Sequence, residues 1–485
     1  MRDIDTPNPN TNPYISSLVS EISYSLSGMA SNLPALSKPD CDPLQNGSSN
    51  YYVITGDLTV NEDFCMKYTQ VVTPPTHFRA KYYAYSGVKV TVESGFSLTM
   101  IEADIVGCDQ MWKGIEVKPG ATLVADNVTL SDARFAIDAK AGSSLQLTNN
   151  VFTDNYIGLR LDMSIAAAGV ARRVFLKSLD QNTFRSSGNG LKPPYASMPE
   201  LVENRGYCGI LLHQYQDFNV SGINYFSALA NGLIASNSIL NVSGMQFDDM
   251  HSTASTPRYN REGYGMYLTA KSGVAWANIN ELYLPKMNFT NCKTGIYAYG
   301  MAGRVDNCLM KQVGTGIDWL FSKNRDIRLR ENTITAARYG IRSVGNEPLD
   351  PTSIMAHNII DITGLTSGST PVTGINLLEI AGSGGATNPP TVQGWELNTN
   401  NVTLEHSGYG IHYLNGVAGT FIGNIVTNLA NASGNNYTGL RVENVQFSDI
   451  HTTTADQNAA AMPGLGTSTG LRSGGYWADP SQLCH

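Results

Sequence analysis

The sequence predicts an all-β fold, a parallel β-helix in which short strands wind into coils that stack on one another. Three observations predict it. The stretch over residues 119–162, PGATLVADNVTLSDARFAIDAKAGSSLQLTNNVFTDNYIGLRLD, nearly superimposes on itself after a shift of 22 positions. Gly120 then falls on Gly142, Leu123 on Leu145, Asn127 on Asn149, Leu130 on Phe152, Asp132 on Asp154 and Ile137 on Leu159. From Tyr51 onward, runs such as YYVITGDLTV, VKVTVESG and SLTMIEADIV alternate apolar and polar residues and end at Gly or Asn. That is the period of a half-buried strand followed by a turn. Charged residues make up 15% of the 485-residue chain, against roughly 25% in an average soluble domain. Gly, Asn, Ser and Thr take their place, the balance of a turn-rich β protein.

The elements follow in chain order. Residues 1–13 are rich in Asn and Pro and read as extended. Asn12 offers an N-cap and Pro13 a first helical residue. Ile15, Leu18, Val19, Ile22, Leu26 and Met29 recur at helical spacing, so an amphipathic helix is expected over 13–30. Residues 1–50 thus read as an extended segment, a capping helix and a loop, and residues 51–453 as the β-helix. The tail from 454 to 485, with TTTADQNAAAMPGLGTSTGLRSGG at its start, is Ala/Gly/Thr-rich without periodicity and reads as a linker or loose end.

Within each 22-residue unit lie three short strands, ATLVA, NVTLSD and FAIDA, with polar corners between them. A hairpin has no reason to repeat the identity of every strand one unit later, whereas a coil stacked on its own copy does. Equivalent residues then sit about 4.8 Å apart. Leu123 on Leu145, Leu130 on Phe152 and Ile137 on Leu159 become interior ladders. Asn127 and Asn149 become a corner column of stacked amides. The last strand of each coil begins Gly-apolar, as at Gly114-Ile115, Gly158-Leu159, Gly265-Met266, Gly295-Ile296, Gly316-Ile317 and Gly340-Ile341. Longer intervals hold loops after Phe184, before Tyr264 and after Val344.

This pattern resembles the pectate-lyase-like, right-handed parallel β-helix, and the resemblance covers residues 51–453. More narrowly, MWKGIEVKPGATLVADNVTLSDARFAIDAKAGSSLQLTNNVFTDNYIGLRL is similar to the repeat region of large secreted surface proteins of Bacteroidota. Those proteins usually carry a signal peptide and a type IX secretion sorting domain, and neither pattern is read in this sequence. The resemblance implies an extracellular or cell-surface location. It is specific for fold and weak for function, since this fold hosts lyases, hydrolases, adhesins and inert stalks.

The formal net charge is -8 and no basic stripe occurs, which argues against nucleic acid and anionic membrane surfaces as partners. No apolar run reaches the length of a membrane span. The 7 cysteines are scattered, without a C-x-x-C pair, so zinc and thioredoxin-like readings fail. Cys41 and Cys65 flank the start of the repeats and are the best candidates for a bridge, with free buried thiols the equal alternative.

Chemistry is sparse. The Gly-His-Gly and Arg-x-Lys signatures of polygalacturonase-like enzymes are absent, as are recurring acidic clusters and calcium-binding nonapeptides, so no catalytic residue, metal or cofactor is assigned. The best catalytic candidate is Asp248-Asp249-Met250-His251. However, MQFDDMHST over 245–253 matches VQFSDIHTT over 445–453, and Asp132 and Asp154 hold the same place in their repeats. Asp132, Asp154, Asp249 and Asp449 are therefore read as corner residues. The residue after the apolar one of each Gly-apolar strand points outward, in a column running Glu116, Asp138, Arg160, Leu211, Tyr267, Tyr297, Asp318, Arg342, Asn376, His412 and Arg441. A parallel column holds His213 and Tyr299. Tyr267, Tyr297, Tyr299 and His213 are the candidate ligand-binding residues, weighed against ordinary β-propensity on an exposed face. The expected function is structural or adhesive, at a surface or in a larger assembly by self-association, with a polysaccharide or cell-surface glycan as ligand. The alternative is a polysaccharide lyase or glycoside hydrolase acting on acidic polysaccharide.

Overall fold

The computed structural model describes residues 51–67, 79–164, 166, 171–196, 204–250, 263–270, 281–348, 353–364, 372–378, 395–405, 407–428, 437–451, 454–457 and 471–474. The expected helix over 13–30 lies outside these residues. Among the described residues there is no α-helix, and strands pair in parallel throughout. The fold is a right-handed parallel β-helix, the hand favoured wherever parallel strands are joined by crossovers. The chain divides into two compact units, residues 1–211 and 212–485.

The first unit is a three-sided coil. One side stacks Leu58–Val60, Lys89–Val92, Gly114–Val117, Phe135–Ala139 and Ile157–Asp162. A second stacks Phe64–Lys67, Ser97–Ile101, Thr122–Asp126, Ser144–Thr148 and Phe175–Asp180. The third runs from Tyr51–Ile54 through Ala103–Gly107 and Thr129–Ser131 to Thr183–Arg185. The expected ladders are present: Leu123 pairs with Leu145, Leu130 with Phe152 and Ile137 with Leu159. Their side chains are buried. Burying one such side chain contributes on the order of 1.5–3 kcal/mol, and each rests on the apolar residue at the equivalent position of the next coil. Phe152 stacks on Phe184 with ring centroids 4.5 Å apart.

The second unit carries the same arrangement. One side stacks Asn231–Ser236, Tyr264–Thr269 and Thr294–Tyr299, continuing through Leu309–Leu320, Thr333–Val344, Val372–Leu378 and Gly408–Ile422. A second interior ladder runs Phe247, Phe289, Met310, Ile334, Ile360, Val402 and Val426. It also explains the Gly-apolar signature. A Cβ on Gly265 would lie 2.4 Å from the Phe289 ring and 2.7 Å from the Gly295 carbonyl. The interior aromatic of the next coil occupies the space that a side chain would need.

Three expectations change. Asn127 and Asn149 do not form the amide column. Both are exposed and adopt left-handed backbone, with φ of 54° and 57°, the conformation Asn tolerates best among residues with a Cβ. The column lies one residue later. Asn150 Nδ2 donates to the Ala125 carbonyl at 3.0 Å and to Asn182 Oδ1 at 2.9 Å. The second correction concerns Asp449. The match of 245–253 with 445–453 is not a structural equivalence. Phe247 lies on a ladder that leads to Val426 and then Ala455. Asp449 instead lies within a strand, opposite Thr420, on the side of the coil that carries Asn241 and Tyr283. Loop insertions have moved a similar sequence onto a different side. Third, pairing continues beyond 453: Thr454–Gln457 joins Ile425–Asn428, and Leu471–Gly474 joins Leu440–Glu443. Backbone hydrogen bonding extends the stack where the sequence lacks an apolar period.

Cys65 is in a disulfide, and its expected partner Cys41 lies outside the described residues. Cys208, Cys292 and Cys308 are free and buried. Burial pushes the Cys292 and Cys308 thiols up to about 12, so they pack as apolar side chains.

Candidate functional site

The remaining corner aspartates share one backbone state. Asp132, Asp154 and Asp249 have φ of 60°, 53° and 58°. Asp154 accepts hydrogen bonds from the Ser187 amide at 2.8 Å and its hydroxyl at 2.5 Å. Asp132 is paired with Lys192 Nζ at 2.9 Å, and the same ammonium donates to the Gly107 and Cys108 carbonyls. Burial pushes the Asp132 carboxyl up, against the pull of Lys192. Asp249 donates its amide to the Thr290 carbonyl at 3.0 Å. His251 lies outside the described residues. Asp132 and Asp154 are thus tied into turns, and Asp249 shares their backbone conformation.

The outward column is in the expected register. In the first unit Glu116, Asp138 and Arg160 are neighbours. They line or adjoin a shallow cleft of about 230 Å³, whose wall includes Lys89, Lys113, Glu116, Arg134, Phe135 and Asp138. Its acids are engaged. Glu116 meets Lys89 Nζ at 2.6 Å, and Asp138 meets Lys140 Nζ at 2.7 Å. The Glu116 hydrogen bond raises the Lys89 pKa. Burial alone would raise Glu116, but the bond and charge of Lys89 hold it below the usual carboxylate range.

In the second unit Tyr267, Tyr297, Asp318, Arg342, Asn376, His412 and Arg441 follow one another coil by coil. Tyr267 and Tyr297 stack at 4.9 Å with rings 6° from parallel. Tyr264, three residues before Tyr267, meets the Tyr297 ring edge-on at 5.3 Å. The sequence reading missed Tyr264 because it is the residue before the signature glycine and lies buried beside the column. Two consequences follow. The facing surfaces of Tyr267 and Tyr297 cover each other, leaving ring edges and hydroxyls for a ligand. Burial also pushes the Tyr297 phenol up to about 12, with Tyr267 and Asp318 adding to the shift.

Next to Tyr297, Asp318 is held in a two-pronged pair by Arg342, Nε to Oδ1 at 2.8 Å and Nη2 to Oδ2 at 2.6 Å. Burial would lower the Arg342 pKa, but Asp318 raises it, so the guanidinium stays charged. Tyr299 is 40% exposed. His213 is not brought against these rings: it ends the earlier strand Cys208–His213, and the direct neighbour of Tyr264–Thr269 below is Asn231–Ser236. Among the described residues no three acidic, His or Cys side chains converge as a metal site. Nor is any helix of these residues long and apolar enough to cross a membrane.

No protein-family model matches this sequence, and comparison with curated proteins finds no match. Among solved structures, the periplasmic alginate epimerase AlgG is similar over 89% of this chain and 82% of its own, at 10% identity and a TM-score of 0.35. The catalytic domain of a GH87 α-1,3-glucanase in complex with tetrasaccharides covers 88% of this chain and 64% of its own, at 13% identity and a TM-score of 0.20. Both neighbours act on carbohydrate by their descriptions, and the likeness to this chain is one of fold.

Proposed function

We propose that this protein is an extracellular surface protein that binds polysaccharide without cleaving it, through the face carrying Tyr267, Tyr297 and Tyr299. One observation carries this reading. Among the described residues the carboxylate that adjoins the aromatic column is Asp318, and both of its oxygens are committed to Arg342. A glycosidase needs one carboxyl to protonate the leaving oxygen and a second to act as base or nucleophile. With both oxygens bonded to the Arg342 guanidinium, Asp318 presents no free oxygen to a leaving group or an attacking water. Stacked tyrosines offer hydroxyls and ring edges, which suit the hydroxyls and C–H groups of a sugar chain.

The test is a glycan array run beside assays for reducing ends and unsaturated products. Binding without new chain ends is expected, and the triple variant Tyr267→Ala, Tyr297→Ala, Tyr299→Ala should lose it. Release of sugars that is abolished by replacing one carboxylate would establish the lyase or hydrolase reading instead. Unchanged binding in the triple variant would move the contact to another surface.

A further inference from the structure

Phe321 follows directly on the strand that carries Asp318. Its backbone is left-handed, with φ of 52°, and it is the only large apolar side chain in that conformation among the described residues. The other residues found there are polar, small or glycine, as sterics require. The corresponding corner of the coil below is Gly300 and of the coil above Gly345, at φ of 69° and 64°. Their amides make the same bond one coil up: Gly300 to Leu320, Phe321 to Val344 and Gly345 to Leu378. A phenylalanine therefore stands where its neighbours in the stack are glycines, in a backbone conformation suited to glycine. Lower in the same corner column Gln214 and Asn237 are also left-handed, but both are polar; a bulky apolar ring held in this conformation is a pointer to function.

The glycines have a second effect. Inside the coil each aromatic is covered by the residue stacked on it, and Tyr267 and Tyr297 cover each other. Phe321 has no side chain directly above or below it in its own column. It is 39% exposed and touches Tyr299, 40% exposed, at 5.4 Å with rings tilted by 48°. Two rings at this exposure present on the order of 150–200 Å². That is far short of the ~800 Å² per partner of a stable protein interface, but it is the scale of one or two sugar rings.

We infer that Phe321, with Tyr299, is the stacking platform for a pyranose that presents a face of C–H bonds, and that the hydroxyls of Tyr267 and Tyr297 bind the same chain farther along. This rests on the polysaccharide-binding reading above and names its principal contact. The decisive variant is Phe321→Gly, because glycine is the residue at the same corner of both neighbouring coils, so the variant keeps the fold. Binding to soluble β-glucan, galactan and polyuronate is measured by calorimetry for the full chain and for Phe321→Gly and Phe321→Trp, with thermal melts alongside. For the chain that the unaltered protein binds, Phe321→Gly should weaken binding about tenfold or more, with a melting temperature equal to or above the original. Phe321→Trp should retain binding, and the interaction should persist at high salt. If the unaltered protein binds a glycan and Phe321→Gly binds it equally well, this inference falls and the broader reading stands. If the unaltered protein binds none of the glycans, both fall. If Phe321→Gly instead loses self-association while glycan binding is unchanged, the pair is a protein contact and the inference is overturned.

Discussion

Asp249 shows how a single residue can look catalytic and be conformational. Its neighbour Asp248 and the following His251 suggest acid–base chemistry, yet its φ of 58° places it in the set of left-handed corners with Asp132 and Asp154. A residue with an ordinary Cβ in that conformation costs roughly 1–2 kcal/mol, which Asp and Asn partly escape through local hydrogen bonds. Asp249→Ala should therefore lower stability by about 1 kcal/mol in urea denaturation, and Asp249→Gly by clearly less. Loss of a glycan-processing activity with unchanged stability would restore a catalytic role. At Tyr297 the shifted phenol makes a second prediction. Its folded value is about 12, against an ordinary 10.0. Above the ordinary value the unfolded chain releases this proton and the folded chain holds it, so stability falls as pH rises from about 10 to about 12. Tyr297→Phe should flatten that decline in denaturation curves taken across this window. The phenolate absorbance of the original protein should appear correspondingly late.

The asparagine column is the element that joins coils at their corner. In the second unit Asn332, Asn358, Asn400 and Asn424 are buried and linked, each Nδ2 donating to the next Oδ1 at 3.0, 2.9 and 2.9 Å. Each also donates to a strand carbonyl, as Asn358 does to Leu329 at 2.9 Å. Asn358 Oδ1 accepts the Asn332 amide at 3.1 Å as well. Truncating one member therefore strands donors and acceptors on both sides. Asn358→Ala should cost about 2–4 kcal/mol, since each buried polar group left unpaired costs about 1–3 kcal/mol. The unfolding midpoint measures this, and a loss below about 1 kcal/mol would mean that water replaces the amide.

At the scale of the molecule, stability is a sum of coil-on-coil contacts. In the first unit the strands on either side of residues 127–148 are related by an offset of 22 residues, as Leu123 to Leu145 and Ile137 to Leu159 show. Deleting residues 127–148 removes one whole coil and joins equivalent positions. The product should keep its β-sheet circular dichroism and a cooperative melt, at a reduced midpoint. A deletion one residue shorter should abolish both. A slip of one residue turns every interior side chain of the following strand outward.

Some of this was legible in sequence and some was not. The repeat, the three interior ladders, the outward position of Tyr267 and Tyr297 and the corner role of Asp132 and Asp154 all follow from a local period. Each coil rebuilds the same environment from the same short stretch of chain, so a residue's place can be read from its neighbours. The amide column was expected one residue too early, because Asn149 and Asn150 are adjacent and identical in type. Only the turn of the backbone decides which one points inward. The kinship of 245–253 with 445–453 misled because loops of unequal length change which side of the coil a segment reaches. The Gly-apolar register already set Tyr267 beside Tyr297 and Asp318 beside Arg342, but the near-parallel stacking of the two rings, the two-pronged hold of Arg342 on Asp318, and Phe321 standing between Gly300 and Gly345 were decided by tertiary structure. These are side-chain and corner geometries between coils whose separation in sequence is set by insertions, and no local period encodes them.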